Sequence, residues 1–285
     1  MTPILDREEY IEQVYFFRAF RERVADALAA QDVLERLHEE ILATTRLPMA
    51  IQFLATELKH TGSLASGFAR LGHYFTPFQT FVMHQAEKDN VRFTTRTALL
   101  VLEREAAYRT AGPTKPGLFV YQFETLARNR LGYEDGLEAM AGDPLYDDDW
   151  KKYIDQVRPR VGSIDFADLI FVRSELYVTE ERRRDPQYQP PVPPLFGEKE
   201  GKIARANHGR DPLYLFAALQ RQLGYPEVPR PKERDDTEAK IGILQAKLRE
   251  VEARVRLVES EVRGQVDLQQ FGKPEILGGP PAGVE

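Results

Sequence analysis

Two pairs of residues have a spacing that could hold a metal on a helix: Glu35 with His38, and Glu57 with His60, each Glu-x-x-His. Three residues apart on a helix, a carboxylate and an imidazole share a face. In carboxylate-bridged di-iron bundles two such pairs converge with a further glutamate from each of two other helices, and this donor set suits iron or manganese. Glu87 and Glu103 lie on later segments that would supply the remaining glutamates. Against this, the two pairs fall on consecutive segments, whereas the bundle order interleaves a lone glutamate, and Lys59 beside His60 marks a wet face. With 45 acidic residues and five histidines the spacing also arises readily by chance. Histidines at the surface or at helix boundaries are therefore the leading reading, with no cofactor expected and iron or manganese as the alternative.

A second stretch, "FGEKEGKIARANHGRDP" at residues 196–212, gathers Lys202, Arg205, His208 and Arg210 among three glycines. Cations and backbone amides together can hold a small anion such as phosphate, above all at the start of the helix after Asp211. The spacing fits neither of the glycine-rich nucleotide signatures. An ordinary surface loop is the simpler expectation. In "DPLYDDDW", Asp143 to Trp150, the clustered acids invite a hard cation, but Asp147, Asp148 and Asp149 directly precede a helix, where carboxylates cap orphan amides. "PPVPP" has polyproline spacing, and its neighbours Tyr188, Leu195 and Phe196 favour a strap across the protein's own surface. The aromatic groups "YFFRAF" and "GHYFTPFQTF" read as core at helical spacing. Ser63, Ser66, Ser163 and Ser174 have no visible base partner, and no nucleophile elbow occurs.

The elements that must position these residues are helices. Asp6 with Glu9 reads as a capping box before Tyr10, Val14, Phe17, Phe20, Val24 and Leu28, all on one face. Asp32 with Glu35 repeats the signature, so the helix restarts or bends near Gln31. Pro48 opens the next helix and Gly62 closes it, and Thr76-Pro77-x-Gln79 is a further capping box. Helical segments continue to about residue 224, with "DLIFV" also compatible with a strand. The polar, proline-punctuated "YPEVPRPKERDD" reads as an exit linker.

Beyond it, Ile241, Leu248, Val255 and Val262 occupy heptad position a, and Leu244, Val251 and Val258 position d. In a parallel pairing Lys247 faces Glu252 of a neighbour, and Arg254 faces Glu259. Helices of this length gain their stability from a partner. A copy of the same chain supplies one.

Composition narrows the rest. A net charge of −6 and no cysteines disfavour nucleic acid and exclude disulfides, thiolate zinc and a cysteine nucleophile. No apolar run is long enough for a bilayer and no signal segment is evident, so a soluble cytoplasmic protein with no membrane partner is expected. The expected fold is mainly α: an antiparallel multi-helix body over residues 1–230, a linker at 231–237, a coiled coil at 238–266 and a Gly/Pro tail at 267–285. The leading functional expectation is a non-enzymatic, self-associating structural or adaptor protein. The alternatives are a di-iron-like oxidoreductase and a binder of small anions or phosphate ligands.

Overall fold

The computed structural model describes residues 4–26, 28–88 and 93–230, and within the C-terminal segment residues 247, 248, 250–252, 254, 255 and 258. The chain divides into two units, Met1–Pro231 and Lys232–Glu285. The described residues of the first unit form thirteen α-helices and one 3-10 turn with no strand among them, so the protein is mainly α as expected. None of these helices is long and apolar enough to cross a membrane. The expected linker and tail, and most of the expected coiled coil, lie outside the described residues.

Local chemistry sets most helix ends. Helix α1 (Arg7–Ala25) and helix α2 (Ala30–Glu40) are separate, so the chain restarts near the expected place. Both expected capping boxes there are corrected. Asp6 makes no side-chain cap, because its intended partner Glu9 is buried and accepts from the Arg46 amide (2.8 Å) and the Tyr74 hydroxyl (2.8 Å). Helix α2 begins two residues before Asp32, at an uncapped Ala29. Helix α3 (Leu47–Thr61) carries Pro48 in its first turn and is capped by Gly62, whose φ of 71° is strained for any residue with a Cβ. A seven-residue helix α4 (Leu64–Arg70) follows, and helix α5 (Pro77–Glu87) carries the full Thr76/Gln79 capping box.

Helix α6 (Thr95–Thr110) packs most extensively against α1, and helix α7 (Lys115–Asn129) is buried on almost every side. Two short helices, α8 (Tyr133–Ala141) and α9 (Asp148–Val157), come next, and Asp147 caps the second by accepting from the Trp150 amide at 3.1 Å. "DLIFV" is helical, within α10 (Phe166–Phe171). Helix α11 (Glu175–Arg184) precedes the proline strap, which lies across the body: the Leu195 and Phe196 amides donate to the Arg173 carbonyl, and Phe196 is buried. Residues 225–229 are not linker. The Tyr225 hydroxyl donates to Glu124 (2.7 Å), and Asn129 donates to the Pro229 carbonyl (3.1 Å).

The aromatic groups are core. Phe16, Phe17, Phe20, Phe75 and Phe78 are all buried, and Phe68 stacks on Phe75 with centroids 4.0 Å apart. Within this apolar interior lies a charged cluster. Arg109 of α6 pairs with Glu105 one turn earlier (2.7 Å) and with Asp143, whose carboxylate also accepts from the Leu145 amide (3.0 Å). Gln122 of α7 donates to Glu105 at 3.0 Å and accepts from the Tyr146 hydroxyl at 2.9 Å, while the Tyr10 ring lies 5.8 Å from the guanidinium carbon. Burial disfavours the Arg109 charge, but Asp143 and Glu105 outweigh it and hold the guanidinium well above its ordinary pKa. Two carboxyls thus face one cation. Glu105 is the one in excess: one of its oxygens has no partner, and burial raises its pKa despite Arg109.

Removing Asp143 strips Arg109 and the Leu145 amide of their acceptor, so Asp143→Ala should cost about 3 kcal/mol or more in urea unfolding. Glu105→Gln leaves a one-to-one Arg109–Asp143 pair and should cost clearly less at neutral pH. An equal loss in both variants would contradict the assignment of Glu105 as the surplus carboxyl. The pH dependence has a definite sign. A carboxyl whose folded pKa is raised gives its full contribution below the ordinary glutamate range and loses it as pH rises through the elevated value. Stability measured across that range should therefore shift in favour of Glu105→Gln relative to wild type as pH rises. A flat difference would mean a carboxyl with an ordinary pKa, and movement the other way one kept ionised in the folded state; either would contradict the raised pKa of Glu105.

Candidate functional site

A cavity of about 670 Å³ opens where four helices meet. Its floor is aromatic. Phe123 and Ala127 come from α7, Phe166 and Leu169 from α10, and Phe216 from helix α13 (Pro212–Leu223), with Tyr133 at the start of α8. The rings of Phe123 and Phe166 stack in parallel, 3.8 Å between centroids, and Phe216 tilts against Phe166 at 5.7 Å. Tyr133, Phe166 and Leu169 stand at or near helix starts and Ala127 near a helix end, so they meet the flank of α7 at Phe123 and the second turn of α13 at Phe216 without closing the space between them. The mouth is apolar too: Ile164 and Leu213 line the cavity and are 42% and 46% exposed.

Polar groups ring this floor. Asp165 accepts from the Ala167 amide (3.0 Å), capping α10, and from the Gly209 amide (2.7 Å), which ties the two rim turns together. Asp211 caps α13 by accepting from the Leu213 amide at 2.9 Å. Arg128 pairs with Glu124. Arg210 is exposed and lines the cavity, and its side chain has no hydrogen-bond or ion-pair partner among the described residues.

Of the expected anion-binding residues, only Arg210 lies at this cavity. The stretch at residues 196–212 is not an open loop, because helix α12 (Glu198–Ala206) occupies its middle. Lys202 pairs with Glu198 one turn earlier (2.6 Å), and Arg205 reaches Glu180 of α11. His208 Nδ1 donates to the Asp168 carboxylate at 2.7 Å and stands 3.9 Å from Asp165. Three of the four candidates are thus matched with carboxylates of this chain. Gly201, which resembles a loop glycine in sequence, is a packing glycine: a Cβ there would stand 2.4 Å from Ser174 Oγ and 2.8 Å from Leu176 Cβ.

The metal set is not assembled either. Glu35, His38 and His60 border a groove of about 540 Å³ between α2 and α3, but among the described residues no group of three or more His, Cys, Asp or Glu is placed to hold a metal ion. Glu57 is buried and engaged elsewhere, pairing with Arg70 (2.6 Å) and accepting from the Ser66 hydroxyl (2.8 Å). Glu87 caps α4 through Ser63 and the Leu64 amide, and Glu103 pairs with Arg18 and Arg21. His38 keeps a buried Nδ1 with no partner, and Glu35 accepts from Gln31 at 3.1 Å. The acids at residues 143–149 also divide into structural roles, with Asp143 in the buried cluster and Asp147 at the α9 cap, where Lys115 and the Trp150 amide lower its pKa.

Sequence reasoning missed the aromatic cavity. Its lining residues are far apart in the chain, and each by itself looks like an ordinary core position. Compared with known proteins, the chain matches no family model, no curated protein sequence and no solved structure.

The tight seat of α12 gives a direct check on this geometry. Gly201→Ala should lower stability by about 1–3 kcal/mol through overpacking against Ser174 and Leu176, read as a lower urea midpoint. A neutral or stabilising result, as expected for a glycine in an open helix, would mean that α12 does not pack on the start of α11 as described.

Proposed function

We propose that this is a non-enzymatic, self-associating structural or adaptor protein of the cytoplasm, whose copies join through the C-terminal heptads. One observation carries the reading. The described residues between 247 and 258 are helical, and the four apolar ones at heptad spacing, Leu248, Val251, Val255 and Val258, are 63%, 55%, 48% and 55% exposed. Large aliphatic side chains in such a row are stable in water only when something covers them.

A second copy is the cover that the charges favour. In a parallel pairing the sequence sets Lys247 against Glu252 and Arg254 against Glu259 across the seam. Within one chain Arg254 pairs with Glu250 at 2.7 Å, an exposed contact of small energetic weight that leaves it able to exchange partners. Ile241, Leu244 and Val262 would extend the seam, although they lie outside the described residues. The absence of cysteine agrees with a reducing compartment. The metal-dependent alternative loses support from the dispersed carboxylates, and the anion-binding alternative is reduced to Arg210.

The seam can be broken without touching the helical body. In the full chain, Val251→Asp with Val258→Asp places like charges at successive d positions. Light scattering should then report a fall from the assembled mass to that of one chain, with the thermal unfolding of the body unchanged because both valines are exposed. An unaltered mass in the double variant, or a wild-type protein that is already a single chain at high micromolar concentration, would overturn the proposal.

A further inference from the structure

We infer that the cavity between α7, α10 and α13 is a binding site for a small organic carboxylate with a flat apolar body, its carboxylate held by Arg210. The inference does not rest on self-association, since every lining residue belongs to the Met1–Pro231 unit. Three features of the cavity support it together.

Its size suits a small molecule. A volume of about 670 Å³ falls in the roughly 300–1,000 Å³ range of small-molecule sites, which are largely apolar with a few placed polar groups. The lining also prescribes a shape. The parallel Phe123 and Phe166 rings, with Phe216 and Tyr133 beside them, offer edges and faces to a planar group, and offset or edge-on packing of such groups is favourable. Ile164 and Leu213 stand half-exposed at the mouth, where a ligand would take them out of water.

The charge at the rim then selects the sign. Asp165 already accepts from two backbone amides, and Asp211 accepts from the Leu213 amide at the positive end of α13. Arg128 is paired with Glu124. Arg210 alone among these rim charges has no partner among the described residues, and a guanidinium matches a carboxylate through two parallel hydrogen bonds. His208, which lies beside it in sequence, is turned to Asp168 and does not compete for the anion.

The test uses three probes that share one flat body: 2-naphthoate, neutral 2-naphthylmethanol and cationic 2-naphthylmethylammonium, titrated calorimetrically into the full chain. Saturable one-to-one binding is expected with affinity falling in that order. Arg210→Ala should weaken 2-naphthoate by about tenfold or more, the scale of a lost charge-assisted pair, and leave the alcohol within about twofold. Arg210→Lys should retain part of the preference. Leu213→Trp, which fills the mouth from an exposed position, should weaken all three probes alike. Unchanged melting temperatures would establish that all three variants fold. No saturable 2-naphthoate binding up to millimolar concentration would overturn the inference. So would naphthoate binding that is indifferent to Arg210→Ala, or tighter binding of the ammonium probe, which would hand the rim to Asp165 and Asp211.

Discussion

A guanidinium inside an apolar body is the constraint around which the helices of this protein are arranged. The Arg109 side chain is only 3% exposed, and a cation so placed must be met by carboxylates and hydrogen bonds or the body cannot close over it. Its partners come from separate pieces of chain. Glu105 shares its helix, Asp143 lies in the turn after α8, Gln122 and Tyr146 brace the carboxylates, and Tyr10 covers the guanidinium from α1. Such clusters add little net stability compared with a well-packed apolar alternative, because desolvation offsets most of the attraction. Their effect here is on register. Sliding α6 by one turn would carry Glu105 along with Arg109 but part the guanidinium from Asp143 after α8 and part Glu105 from Gln122 of α7.

The same economy governs the other acids. Glu9 fixes the start of α3 to α1, Glu57 clamps α3 to α4, Glu87 seats the first amides of α4, and Glu124 holds the departing chain at Tyr225. These four carboxylates are each matched to a donor from a different segment of the chain, so the short helices are joined by polar contacts as well as by the phenylalanine core. Among the described residues these acids are thus engaged one by one with separate donors rather than gathered at one point. That distribution also accounts for a chain rich in acids that still has a coherent apolar interior.

Much of the helical architecture was legible in the sequence, because the signals there were local. Thr76 and Gln79, Pro48 and Gly62, and Asp147 before α9 act on amides within one turn, and each does what its spacing predicts. The failures share a cause. Glu9 and Glu35 have the right spacing to complete capping boxes, but a tertiary partner or an earlier helix start removes them from that role. Gly201 and its basic neighbours look like a binding loop, yet the glycine is required by close packing on Ser174, and the cations find carboxylates on their own or adjacent helices. A residue type reports the contacts it is able to make, and only the fold decides which partner arrives first.

The aromatic cavity is the limiting case of that rule. Phe123, Phe166 and Phe216 are individually indistinguishable from core, being buried and on apolar helix faces. They border a cavity because the first turns of α10 and α13 meet the flank of α7, and helix starts cannot interdigitate as helix flanks do. Asp165, at the end of the turn at residues 161–165, accepts from the Ala167 amide at the start of α10 and from the Gly209 amide of the turn at 209–211, which ties the two turns together. A single aspartate therefore completes the rim with its hydrogen-bonding oxygens already engaged, while the Arg210 guanidinium has no partner among the described residues. The polar contacts that stabilise this corner of the fold also determine what kind of molecule the cavity can attract.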